Sequence, residues 1–134
     1  MAITNLRGVQ SSEIDKVWPQ VLGLMRGVLK EEKDYSTDHI KLYCKRTEMQ
    51  LWVIGDVDGF VVTQINIFPL RKVLVAMFAG GKDGKVDWIE VMEELKELAK
   101  AKDCEAVRIY GRRGWVRKFK PKRDMAFFDT EVEQ

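Results

Sequence analysis

The chain reads as one mixed α/β domain over residues 1–134, and three observations carry that reading. Apolar residues recur at three-four spacing in two N-terminal segments and one long central segment, the period of helices packed by one face. Between them lie short runs rich in Val, Ile and Phe, bounded by Gly, Asp and Pro, the pattern of strands and turns. Finally, the run Val73–Phe78 is apolar on both faces and passes through a glycine-rich turn into the long helix. A second apolar run, Ala106-Val107-Arg108-Ile109-Tyr110, follows that helix at once. The predicted order is ααβββαβαβ, a central mixed sheet flanked by helices around one core.

The first helix is predicted over 12–31, with Ile14, Val17, Trp18, Val21, Leu22, Met25, Val28 and Leu29 on its buried stripe and Ser12 as its cap. Pro19 lacks an amide donor and should kink this helix or mark where its main part begins. Ser36 or Thr37 caps a shorter helix over about 37–47. Three strands are expected at 51–54, 60–68 and 72–78, the first two joined through Gly55-Asp56-Val57-Asp58-Gly59, which is rich in residues tolerating positive φ. On the second strand Val61, Thr63, Ile65 and Ile67 share one face, and Val62, Gln64 and Asn66 the other. The third is apolar on both faces, which suits a central, doubly covered position. The long helix should run over 87–102, capped by Asp87 with Glu90 three residues on. A strand at 106–110, a short basic helix at 115–120 and a last strand within 124–132 complete the order.

Bulk properties exclude several classes. The apolar content of 46% against 33% charged residues is that of a soluble globular protein, and no apolar stretch reaches the roughly 18–20 residues of a membrane span. The start, MAITNLRG, lacks a signal-peptide core, and Cys44 and Cys104 form neither a disulfide framework nor a CxxC metal site. The expectation is a cytoplasmic protein without a metal. Net charge is only +2, yet Arg112, Arg113, Arg117, Lys118, Lys120, Lys122 and Arg123 fall within twelve residues free of acids. Such a run is ordinarily a solvated face. With the rest of the chain not basic, nucleic-acid binding should be weak and steeply salt-dependent.

The glycine turn is the main candidate site. Gly80-Gly81-Lys82-Asp83-Gly84-Lys85-Val86 has one residue too few for a P-loop, lacks its Ser or Thr, and contains no GxGxxG spacing. Two readings remain: a plain strand-to-helix turn, or a flexible turn whose backbone donors and two lysines meet a phosphate. No catalytic constellation stands out. His39 lies on a short helix with no obvious serine or cysteine partner in the sequence, and the acids of the long helix are spaced as a solvated face.

The hairpin LWVIGDVDGFVVTQI, the turn and helix FAGGKDGKVDWIEVMEELKELAK, and the strand-loop-helix AVRIYGRRGWVRKF together resemble the GNAT fold of acetyl-CoA-dependent N-acetyltransferases. More narrowly, the chain resembles the short GNAT-like proteins encoded by tailed bacteriophages. The resemblance implies an acyl donor, acetyl-CoA, whose pantetheine arm lies between two splayed strands, 72–78 and 106–110, with a short first strand within residues 1–10. Its cofactor-binding positions would be Phe78, Ala79, Gly80, Gly81, Lys82, Gly84 and Lys85, with Arg112 and Arg113 bordering the groove. Tyr110 would be the acid at the splay, and Gln64 and Asn66 would place an amine acceptor. The turn departs from the usual spacing, the family's tyrosine falls at Phe119, and no glutamate stands on the fourth strand. Two expectations follow: an N-acetyltransferase acting on an unidentified amine, or a non-catalytic GNAT-fold protein that meets phage structural proteins or a host partner in the virion or host cytoplasm.

Overall fold

A computed structural model describes residues 6–111, 114–125 and 129–132. In chain order the elements are β1 (Leu6–Val9), a 3-10 turn at Ser11–Glu13, α1 (Ile14–Val28), α2 (Thr37–Lys45), β2 (Gln50–Ile54), β3 (Gly59–Ile67), β4 (Lys72–Gly81), α3 (Trp88–Ala101), β5 (Ala106–Ile109) and α4 (Gly114–Phe119). The five strands form one sheet in the order β1-β2-β3-β4-β5; the first three pairings are antiparallel, and β4 with β5 is parallel. The predicted class holds, with the short first strand present and α3 as the crossover between the parallel pair.

The sheet divides the core in two. On one face α1 and α2 bury Ile14, Trp18, Val21, Met25, Ile40 and Cys44 against Leu51, Val53, Phe60, Val62 and Phe78. On the other, α3 sets Val91, Leu95 and Ala99 against Ile54, Val61, Leu74 and Ala76. Because both faces of β4 are covered, Val73, Leu74, Val75 and Ala76 are all buried, which is why its sequence is continuously apolar. Among the described residues Thr63 is the one buried polar residue, and its Oγ1 accepts the indole N–H of Trp52 at 2.9 Å.

Local chemistry sets the element ends. The Ser11–Glu13 turn precedes α1, so Ser12 is not its cap, and the helix continues through Pro19 to Val28. α2 begins with a reciprocal cap: Ser36 Oγ accepts the His39 amide, and His39 Nδ1 accepts the Ser36 amide, each at 3.2 Å. His39 therefore takes the place usually held by Glu or Gln and serves the helix start. Asp15 on α1 accepts Lys45 Nζ at 2.9 Å and Lys41 Nζ at 3.3 Å from α2; those bonds, Lys45 first, hold its carboxyl below the usual range. In the β2–β3 connection Gly55 and Val57 both have positive φ, 57° and 56°. For a β-branched residue that backbone is strained; burial of Val57 in the α1/α2 core offsets the strain.

Two expectations change. β4 runs three residues beyond Phe78, so Gly80 and Gly81 belong to the strand and not to the turn. Glycine signals a turn only when nothing else requires its small size. Here a Cβ on Gly80 would stand 2.5 Å from Val28 Cγ2, and one on Gly81 2.7 Å from Val86 Cγ2 and 3.2 Å from the Asp58 carbonyl. The last strand is not formed in the described part of 124–132, and Ala126, Phe127 and Phe128 lie outside the described residues. On the β3 face shared with Val61 and Thr63, Ile65 and Ile67 are exposed, Ile67 by 79%.

Phe60 is fully buried at the centre of the α1/α2 core. Phe60→Ala should cost about 3–5 kcal/mol in a denaturant titration; a loss under about 1 kcal/mol would contradict this packing. Burial also pushes the Cys44 thiol up to about 12. Its contribution is thus fully present below the unfolded thiol's pKa near 9 and fades as pH rises toward 12. Stability should fall across that window, and Cys44→Ala should flatten the fall.

Candidate functional site

The site is built by one extra residue. β3 and β4 pair Val62 with Phe78 but Thr63 with Ala76, so Met77 has no partner on β3 and forms a bulge. In consequence Met77 and Phe78 both pack on the α1/α2 side, while Ala76 before them and Ala79 after them face α3. The bulge also changes the phase of the backbone. Before it, the carbonyls of Lys72 and Ala76 accept from β5 and its flank, from the Glu105 amide at 2.9 Å and the Tyr110 amide at 3.4 Å. Past it, the Lys82 amide donates to the Asp58 carbonyl at 2.8 Å. Antiparallel alternation then turns Phe78 and Gly80 toward β3, and Ala79 and Gly81 away from it.

On that far side the partner strand has ended. β5 pairs only from Val73↔Ala106 to Ala76↔Ile109. The N–H and C=O groups of Ala79 and Gly81 therefore line a slot that opens where β4 continues and β5 stops. Tyr110, 44% exposed, begins the other arm of that fork.

The mouth of the slot is ringed by the 82–87 turn, the start of α3 and α4. The turn closes through the Lys85 amide on the Lys82 carbonyl at 3.1 Å, with Gly84 at φ 69° in the left-handed region that glycine adopts freely. Lys82, Asp83, Gly84, Lys85 and Asp87 are all exposed. Asp87 caps α3: its Oδ1 accepts the amides of Ile89 and Glu90, each at 3.2 Å. Trp88, the first residue of α3, packs under Gly81 and meets Trp115 of α4 edge-on at 5.4 Å; Trp115 in turn stacks on Phe119 at 5.4 Å. On the α1/α2 side, Tyr35 stands edge-on to Phe78 at 5.6 Å.

The predicted positions divide clearly. Ala79 and Gly81 lie on the open edge beside Tyr110. Phe78 and Gly80 sit in the same strand with their amides directed to β3. Lys82, Gly84 and Lys85 form the rim, while the amides of Lys82 and Lys85 already have acceptors. Gln64 and Asn66 are half-buried on β3, opposite Val75 and Val73, on the α1/α2 side. Arg112 and Arg113 lie outside the described residues. Sequence reasoning missed Met77 as the bulge and Tyr35 as the ring packed against Phe78; an unbroken apolar run carries no signal for the first.

An edge of alternating donors and acceptors fits a chain bearing secondary amides, as pantetheine does. At the helix start beside it, the amides of Ile89 and Glu90 are taken by the Asp87 carboxylate, which leaves the amides of Trp88 and of the turn before it to meet an anion.

No family model and no curated protein matches the sequence. Solved structures do match. An aminoglycoside acetyltransferase from an uncultured soil metagenomic sample, in complex with sisomicin, superposes with a TM-score of 0.69 at 11% identity, covering 96% of this chain and 95% of that one. An aminoglycoside N-acetyltransferase in complex with CoA gives 0.66 at 10% identity, covering 94% and 93%. A ribosomal-protein-alanine N-acetyltransferase from Brucella melitensis biovar Abortus 2308 gives 0.65 at 12% identity, covering 96% of each chain. The fold is the GNAT acetyltransferase fold. At such identities the likeness speaks for the GNAT fold alone, and the chemistry must be argued from this chain's residues.

Because a Cβ on Gly81 would press on backbone as well as on Val86, Gly81→Val should lower stability by roughly 1–3 kcal/mol. Gly84→Val, with nothing within 4 Å of its Cβ, should cost only the strain of positive φ, roughly 1–2 kcal/mol. A Tm for Gly81→Val equal to that of the wild-type chain would contradict the placement of Gly81 in the strand.

Proposed function

We propose that the protein is an N-acyltransferase that takes an acyl group from acetyl-CoA and passes it to an amine. The observation that carries this reading is the open β4 edge beyond the Met77 bulge. Acetyl-CoA supplies the activated thioester carbonyl. Ala79 and Gly81 would bond the amides of its pantetheine arm as a strand would, which fixes the thioester along β4 beside the bulge and converts the transfer to a positioned, effectively unimolecular step. Tyr110, at the fork, would give a proton to the departing thiolate. Gln64 and Asn66 would orient the acceptor from the α1/α2 side. The aminoglycoside and ribosomal-protein-alanine acceptors named for the matched structures support an amine as the acceptor class.

A second reading has its own support. Phe119 stands where the family places a tyrosine, β4 carries no carboxylate, and the tip of the β3–β4 hairpin exposes Ile67 and Leu70, the latter by 93%. Those features suit a GNAT-fold protein that works by contact, such as a tailed-phage virion or host-interaction protein. Among the described residues no helix is long and apolar enough to cross a membrane, which is compatible with the cytoplasm for either reading.

Titration with acetyl-CoA separates the two. At 100 times its dissociation constant the donor should add about 2.7 kcal/mol of stability, and a panel of amines should include one that releases free CoA thiol. Absence of both effects would leave the contact reading. Ala79→Pro deletes one donor on the open edge and none facing β3; donor affinity should fall about tenfold with Tm little changed. With no carboxylate on β4 to take the amine proton, kcat/KM should rise tenfold per pH unit up to the acceptor's own pKa. A plateau well below that pKa would reveal a base elsewhere in the chain.

A further inference from the structure

β3 is longer than the strand beside it. Its pairing with β2 ends at Gln50↔Thr63, whereas its pairing with β4 continues through Gln64↔Val75, Ile65↔Leu74 and Asn66↔Val73 to Ile67↔Lys72. Residues 64–67 therefore have a strand on one side and, among the described residues, none on the other. The carbonyls of Lys72 and Ala76 accept from the β5 side, so alternation directs Val73 and Val75 toward β3, and their partners Asn66 and Gln64 toward β4. The N–H and C=O groups of Ile65 and Ile67 then point to the open side.

Side chains mark the same edge. Ile65 is 39% exposed and Ile67 79%, and the turn that follows exposes Phe68 by 40% and Leu70 by 93%. That turn is held in place: the Phe68 amide donates to the Arg71 carbonyl at 2.8 Å, and the Arg108 guanidinium lies 5.1 Å from the centre of the Phe68 ring. An ordered, unpaired edge bearing apolar side chains is a template for another strand.

One self-pairing uses the whole edge. When two copies pair antiparallel about a two-fold axis, the residues whose backbone points outward must stand opposite one another. Centring on Asn66 sets Ile65 against Ile67 of the second copy and Ile67 against its Ile65, so both outward-facing residues of each copy are satisfied. Centring on Ile65 would set Ile67 against Thr63, which β2 already pairs. Centring on Ile67 would set Ile65 against Pro69, which has no N–H. The Asn66 register also gathers four isoleucine side chains on one face of the joined sheet. Full cover of Ile65, Ile67, Phe68 and Leu70 would remove roughly 500 Å² of surface per copy, or roughly 1,000 Å² for the pair, close to the least that a specific interface needs.

We infer that β3 carries a self-association edge: two copies of this chain join antiparallel through residues 64–68, with Asn66 on the two-fold axis, and their sheets become one. The edge lies at the β3–β4 hairpin, at the end of β4 remote from Ala79 and Gly81, so the inference does not rest on the acyl-donor reading.

Sedimentation equilibrium and cysteine cross-linking of the full chain test it together. An interface of this size should give a reversible dimer with a dissociation constant on the order of 10 μM. Ile67→Lys sets a charge on the edge at an exposed position; it should weaken the dimer at least tenfold and leave the Tm of the dilute chain unchanged. Asn66→Cys should form a disulfide-linked dimer on mild oxidation where the wild-type chain does not, because residues opposite one another in a non-hydrogen-bonded pair have Cα atoms about 4.5 Å apart. Gln64→Cys, set against Phe68 of the second copy, should not link. The inference is overturned by a wild-type chain that stays monomeric at about 300 μM, thirtyfold above that constant. A dimer that Ile67→Lys leaves as tight, or an Asn66→Cys chain that links no more readily than Gln64→Cys, overturns it equally.

Discussion

One surplus residue in β4 organises the rest of the molecule. An antiparallel strand shows alternate residues to each neighbour, so a strand central in a sheet has no backbone group to spare. Met77 breaks that count. Upstream of it, β4 is a fully paired centre between β3 and β5; downstream, the strand remains paired to β3 while its other edge, re-phased to Ala79 and Gly81, meets no partner strand among the described residues. An edge buried in this way would be costly without a ligand or water to satisfy it. It is tolerated here because β5 stops at Ile109 and leaves the edge at the surface.

Packing then holds that edge still. The α1/α2 core grips Phe78 from one side, with Tyr35 against its ring, and α3 covers Ala76 and Ala79 from the other. Glycines at 59, 80 and 81 let the two strands and the helices close in where side chains would collide. Precision at the slot is therefore a property of two rigid cores and not of the flexible turn beside it. The turn's lysines and acids stay in solvent, where charge pairs are worth little for stability and remain available to steer a charged ligand.

Much of this was legible in the chain. The helical stripes of α1 and α3, the Asp87 cap, the hairpin at Gly55 and the parallel pair around α3 all follow from period and turn chemistry. The bulge does not, because Val73 to Phe78 is apolar throughout and a slip in phase leaves no polar residue on the wrong face. Nor does the true end of β4. Gly80 and Gly81 read as a turn, although their smallness serves close packing against Val28 and Val86. His39 illustrates a third kind of opacity: its backbone-capping role depends on a ring nitrogen reaching Ser36, which composition cannot reveal. At the site, resemblance alone singled out Tyr110, Ala79 and Gly81, whereas the bonding of the Ile89 and Glu90 amides to Asp87 came only from geometry.

The central claim is that Ala79 and Gly81 present an open backbone edge for a pantetheine-bearing ligand. Amide hydrogen exchange followed residue by residue tests it most directly. In the free protein the Ala79 and Gly81 amides should exchange rapidly while those of Phe78 and Gly80 are protected, and saturating acetyl-CoA should protect Ala79 and Gly81 selectively. Protection of all four amides before any ligand is added, or no change at Ala79 and Gly81 when it binds, would contradict the account.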